Sequence, residues 1–127
     1  MKALLIILFT AIFSPLAFAQ AKVCGGTEID IKKVGEWEST RFIVEAKNGA
    51  DNTKLILKSV DYVSSYCEKS TTGVDKILIL AICGGSGCSE STYTVIDART
   101  LKVELVPFQG QGNLELVEKL LGREFKL

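Results

Sequence analysis

The stretch Lys76-Ile77-Leu78-Ile79-Leu80-Ala81-Ile82-Cys83 is apolar at every position after its lysine. A continuous apolar run of this length, bounded before by Ser70-Thr71-Thr72-Gly73 and after by Gly84-Gly85-Ser86-Gly87, fits a central strand buried on both faces. A chain that contains such a strand must supply a sheet around it. Arg41 to Lys47 alternates Phe42, Val44 and Ala46 against Arg41, Glu45 and Lys47, with Ile43 breaking the pattern, and runs into Asn48-Gly49, a strong reversal signal. Thr53 to Ser59, centred on Leu55-Ile56-Leu57, reads as a second strand. Val60 to Cys67 alternates as a strand would, and a helical turn is the other reading of it. Ser91 to Asp97 is rich in β-branched and aromatic residues, and Lys102 to Pro107 alternates again.

The carboxyl-terminal segment changes period. Asn113 to Leu121 reads as a helix, with Asn113 as its N-cap, Glu115 in the first turn and Gly122 just past its end. Leu114, Val117 and Leu121, joined by Leu120, form the stripe expected to pack on the sheet. The expected fold class is α+β: an antiparallel meander of about five strands, a carboxyl-terminal helix on one face, and two disulfides.

The amino end reads differently. Lys2, the apolar run Ala3 to Phe13, the break at Ser14-Pro15 and the small residues Ala17-Phe18-Ala19 make an export signal, with cleavage expected after Ala19. The apolar run is too short to span a bilayer. The expected organisation is therefore a signal peptide over 1–19 and one small domain over 20–127, periplasmic or secreted, without stable membrane insertion after cleavage. Fifteen basic and fifteen acidic side chains leave the whole chain formally neutral. Without a run of Lys or Arg there is no footprint for phosphate backbones, which excludes nucleic acid and anionic membranes as expected partners.

Cys24, Cys67, Cys83 and Cys88 all lie beyond the signal, and an even number in an oxidising compartment reads as two disulfides. Three pairings are open. Cys83 with Cys88 and Cys24 with Cys67 is favoured, because Gly84-Gly85-Ser86-Gly87 turns the backbone without steric penalty. A bridge closing residues 83–88 removes about 2 kcal/mol of unfolded-chain entropy, and one closing 24–67 about 4 kcal/mol. The longer link would be the staple, and the shorter would fix the shape of a glycine-rich tip.

The chain contains no histidine. That removes Ser-His and Cys-His nucleophile pairs and histidine-bearing zinc centres. Gly84-Gly85-Ser86-Gly87 is not a nucleophile elbow, since Cys88 stands where the last glycine belongs. The cysteines lack the paired C-x-x-C knuckles of a zinc site, and no lysine follows Gly87 as a phosphate loop requires. No metal or cofactor is expected. A carboxylate pair drawn from Glu36, Glu38 and Glu90, or a redox role for Cys83 and Cys88, would be the enzymatic alternatives, and C-x-x-x-x-C is not the reactive spacing.

Binding is the class that remains. Gly84, Gly85, Ser86, Gly87, Ser89 and Glu90 are the expected contact loop, preorganised by its bridge, and Arg99 in the next hairpin connection is a further contact residue. Trp37, between Glu36 and Glu38, is read as a core anchor in preference to an exposed contact. The expected function is an exported binding protein that engages a protein partner, as an inhibitor or immunity protein of an envelope enzyme does. The competing class is an accessory or structural envelope protein.

Overall fold

The computed structural model describes residues 22–36, 39–83, 91–108 and 111–127. Strands β1 (Lys22–Cys24), β2 (Thr27–Val34), β3 (Arg41–Asn48) and β4 (Asp51–Lys58) form one antiparallel sheet in that order. Strands β5 (Tyr62–Lys69), β6 (Asp75–Ile82), β7 (Thr92–Asp97) and β8 (Val103–Leu105) form a second, and helix α1 (Gln111–Leu121) follows. The fold is thus mostly antiparallel β with a carboxyl-terminal helix, but the described residues form eight strands in two sheets where one meander of about five was expected. The missed strands are β1 and β2. The alternation of Thr27, Ile29 and Ile31 carried the signal for β2, and Lys33, on the same face, breaks it.

The meander is cut between β4 and β5. Ser59 adopts a left-handed φ of 59°, a conformation that non-glycine residues seldom take, and it turns the chain out of the first sheet. Val60 then packs against the core between the sheets, so the crossing is held on both sides of the bend.

Strand β6 confirms the reading of its apolar run. Ile77, Ile79 and Ala81 pack with Ile29, Phe42, Val44, Ala46 and Leu57 of the first sheet. Leu78 and Leu80 point the other way, against Val117, Leu121 and Phe125. The molecule is therefore three layers deep, with the second sheet in the middle. Complete burial of each large aliphatic side chain in β6 contributes about 1.5–3 kcal/mol, which makes this strand the energetic centre of the fold.

The helix begins two residues earlier than expected, and Asn113 is not its cap. Asn113 is 1% exposed; its Oδ1 accepts the Tyr93 N–H at 2.6 Å and its Nδ2 donates to the Tyr93 carbonyl at 3.1 Å. The reason lies in the sheet. Strand β8 pairs Leu105 with Val95, and continuing that register would set Pro107, which has no N–H, opposite Tyr93. The Asn113 amide replaces the missing strand. The buried stripe consequently runs through Asn113, Val117 and Leu121, while Leu114 is exposed and Glu115 falls beyond the first turn. Gly122 ends the helix as expected, with φ 74° and its N–H on the Glu118 carbonyl at 2.8 Å.

Candidate functional site

Antiparallel strands in chain order send alternate connections to opposite ends of the sheets. At one end lie residues 25–26, 49–50, 70–74 and 98–102. Gly25 there has φ 55°, and a Cβ on it would meet Asp75 Oδ2 and the Ala98 side chain, so the β1–β2 turn nests against the second sheet. The Thr27 hydroxyl donates to the Ala98 carbonyl, and the Thr53 hydroxyl donates to the Leu101 carbonyl at 2.6 Å. Both bonds cross from one sheet to the other. The Cys24–Cys67 disulfide adds a covalent tie between β1 and β5. This end is closed.

A charged cluster belongs to the same end. Lys76 Nζ lies 2.6 Å from Glu104 Oε1 and 3.3 Å from Asp97 Oδ2. Burial alone would raise the Asp97 carboxyl, but the backbone N–H groups of Thr100 and Arg99 and the Lys76 ammonium outweigh it and hold the group down to about 2. Burial would lower Lys76, and its two carboxylates override it and raise the group. The Tyr93 hydroxyl, on the helix side of the second sheet, is raised by burial and by neighbouring Tyr66.

At the other end lie the described residues 35–36, 39–40, 59–61, 83, 91 and 106–108, and among them the space between the sheets is open. A cleft of about 370 Å³ is walled by Leu57, Lys58, Ser59 and Val60 on one side and by Ala81, Cys83, Thr92, Pro107 and Phe108 on the other, with Ile56 at its edge. Ile56 is 55% exposed and Phe108 40% exposed. The walls are mostly apolar, with Lys58, Ser59 and Thr92 as the polar residues of the lining. Such a surface suits burial of a partner's apolar side chain with a few oriented polar contacts.

The expected contact residues Gly84, Gly85, Ser86, Gly87, Ser89 and Glu90 lie outside the described residues, as do Cys88, Trp37 and Glu38. Their flanking residue Cys83 lines the cleft. Arg99 is described and stands at the closed end, at the far end of β7 from Cys83 and Ser91. Its backbone N–H bonds Asp97 Oδ1 at 2.8 Å, which makes it part of the hairpin turn. Cys24 and Cys67 are paired as favoured. Among the described residues this is one complete bridge where two were expected; Cys83 is disulfide-bonded as well.

Ile56, Lys58, Val60 and Phe108 were not singled out by the sequence. The signal for Ile56 was the unbroken triplet Leu55-Ile56-Leu57, which in an alternating strand must turn one apolar side chain outward. The signal for Phe108 was an aromatic residue just after a proline and a short strand. No helix among the described residues is long and apolar enough to cross a membrane. Comparison with family models, curated proteins and solved structures found no match for this chain.

Proposed function

We propose that this chain is an exported binding protein, periplasmic or secreted, that engages a protein partner through the open end of its two sheets and acts as an inhibitor or immunity protein of an envelope enzyme. The observation that supports this reading is the cleft between Val60 and Phe108, an apolar surface left open at the end from which the 83–91 connection leaves. An apolar patch bordered by polar groups is the usual form of a protein contact centre. In this reading Cys83 pairs with Cys88, and the tip from Gly84 to Glu90 forms part of the rim, with Ser86, Ser89 and Glu90 as its polar contacts. Arg99, at the opposite end, is not part of this contact.

The test is retention of an envelope protein on the immobilised mature domain, compared with Phe108→Asp, Ile56→Asp and Glu90→Lys variants of unchanged thermal stability. Loss of retention by tenfold or more in the cleft variants is expected, since truncated or charged central contacts dominate such interfaces. Retention unaffected by all three variants would remove this end from the contact. Inhibition of the retained protein's activity separates the inhibitor from an accessory role. Alkylation of Cys83 or Cys88 without reductant would favour the thiol-based alternative.

A further inference from the structure

Strand β1 covers only part of its neighbour. It pairs Lys22 with Ile29 and Cys24 with Thr27, and past Ile29, among the described residues, β2 has β3 alone as a partner. Strand β5 has β6 on one side and, among the described residues, no ladder on the other. The Ser65 carbonyl accepts Lys22 Nζ at 2.7 Å, so the Ser65 backbone faces that uncovered edge. By the two-residue alternation of a strand, so do the N–H and C=O of Val63. Between these two edges runs a groove of about 480 Å³, lined by Lys22, Ile31, Lys33 and Phe42 on one side and by residues 61–64 on the other.

The charges of the groove are unbalanced. Lys33 lies on the inward face of β2 with its ammonium over the Phe42 ring at 5.9 Å, and Lys22 sits over Tyr66 at 5.3 Å. Neither forms an ion pair with a carboxylate among the described residues, whereas Lys32, Lys47, Lys69 and Lys76 all do. Asp61 is the one acid in the lining. Inward-facing lysines on a strand edge repel a second copy of the same edge, because pairing would bring like charges together. The same lysines favour a strand of opposite charge, so one device both rejects and selects.

We propose that the β2–β5 groove takes an extended, acidic segment of the protein partner, added as a strand with its backbone on Val63 and on the part of β2 past Ile29, which has β3 alone as a partner among the described residues. A carboxylate of that segment meets Lys33, Lys22 adds a second positive charge to the groove lining, and an apolar side chain two residues along packs on Phe42. This deepens the proposed function, on which it rests, by naming the chemistry of a second contact at the same open end.

The experiment uses the mature domain and a blocked peptide of about six residues, the length of an ordinary strand, in which glutamate and valine stand two apart on one face with threonine between them. Controls are the valine–glutamine and valine–lysine versions. Amide shifts along Asp30–Val34 and Tyr62–Ser64 with the glutamate peptide, and binding roughly tenfold weaker for the glutamine version, are expected. Lys33→Glu should exchange the preference, binding the lysine peptide and losing the glutamate one, which also shows that the variant is folded. Equal binding of all three peptides, shifts confined to other strands, or a Lys33→Glu domain that keeps the glutamate preference would each overturn the inference. A dimer of the unmodified domain through this edge would overturn it too, in favour of a second copy. If the peptide fails while retention of the envelope partner still depends on Phe108, the groove is refuted and the cleft stands.

Discussion

At the scale of single residues, Asn113 shows how a side chain can stand in for a strand. Both of its polar groups are committed to the backbone of Tyr93, and the position they occupy is the one Pro107 cannot fill. Replacing Asn113 with alanine leaves a buried N–H and a buried C=O unpaired, each costing about 1–3 kcal/mol. The Asn113→Ala domain is expected to lose about 2–4 kcal/mol in urea unfolding. Asn113→Asp should lose at least as much at neutral pH, since it keeps an acceptor for the Tyr93 N–H but sets a buried carboxylate oxygen against the Tyr93 carbonyl. A neutral outcome for alanine would mean that water or Val106 repairs the site. The same residue explains why the helix start was misread, because a buried asparagine near a helix start looks in sequence like a cap.

At the scale of elements, the β7–β8 hairpin has its own pH dependence. The Asp97 carboxyl is held at about 2 against an ordinary 3.8. A depressed carboxyl contributes stability above its unfolded value that is lost as pH falls through the folded one, here from about 4 down to about 2. The contribution is on the order of 2 kcal/mol. Unfolding midpoints measured from neutral pH downward should therefore drop across that window, and Asp97→Asn should flatten the drop. If the variant titrates like the unmodified protein, other carboxylates govern acid unfolding.

The elements also show what sequence pattern reveals and what it does not. Strands β3, β4 and β6 were legible because alternation or continuous apolarity reports which faces are buried, and their bounds fall within a few residues of the expected ones. Strand β1 is three residues long, too short to show a period. The division into two sheets falls at Ser59, whose left-handed φ a serine in the sequence does not announce. The cleft was illegible for another reason: its walls come from β4, β6, β7 and the segment after β8, brought together only by the packing of one sheet on the other.

At the scale of the whole molecule, the closed end and the open end divide two tasks. The sheets are tied to each other by the Thr27 and Thr53 hydroxyls and the Cys24–Cys67 bridge at one end, while the cleft and the β2–β5 groove open at the other. Removing the bridge with Cys24→Ala and Cys67→Ala together should lower stability by about 4 kcal/mol in the chain-entropy account, with the peptide and partner contacts preserved at temperatures where the domain remains folded. Loss of binding at full folding would show that the bridge shapes the open end as well.

Strand order that follows chain order has a consequence for assembly. A chain delivered amino end first completes β1 to β4 from neighbouring hairpins before any part of the second sheet exists. Cys67 is then the first thiol to reach Cys24, ahead of Cys83 and Cys88. Vectorial delivery alone would thus favour the long crosslink seen in the fold, and refolding the fully reduced chain from denaturant, where all four thiols meet at once, should yield more of the other pairings.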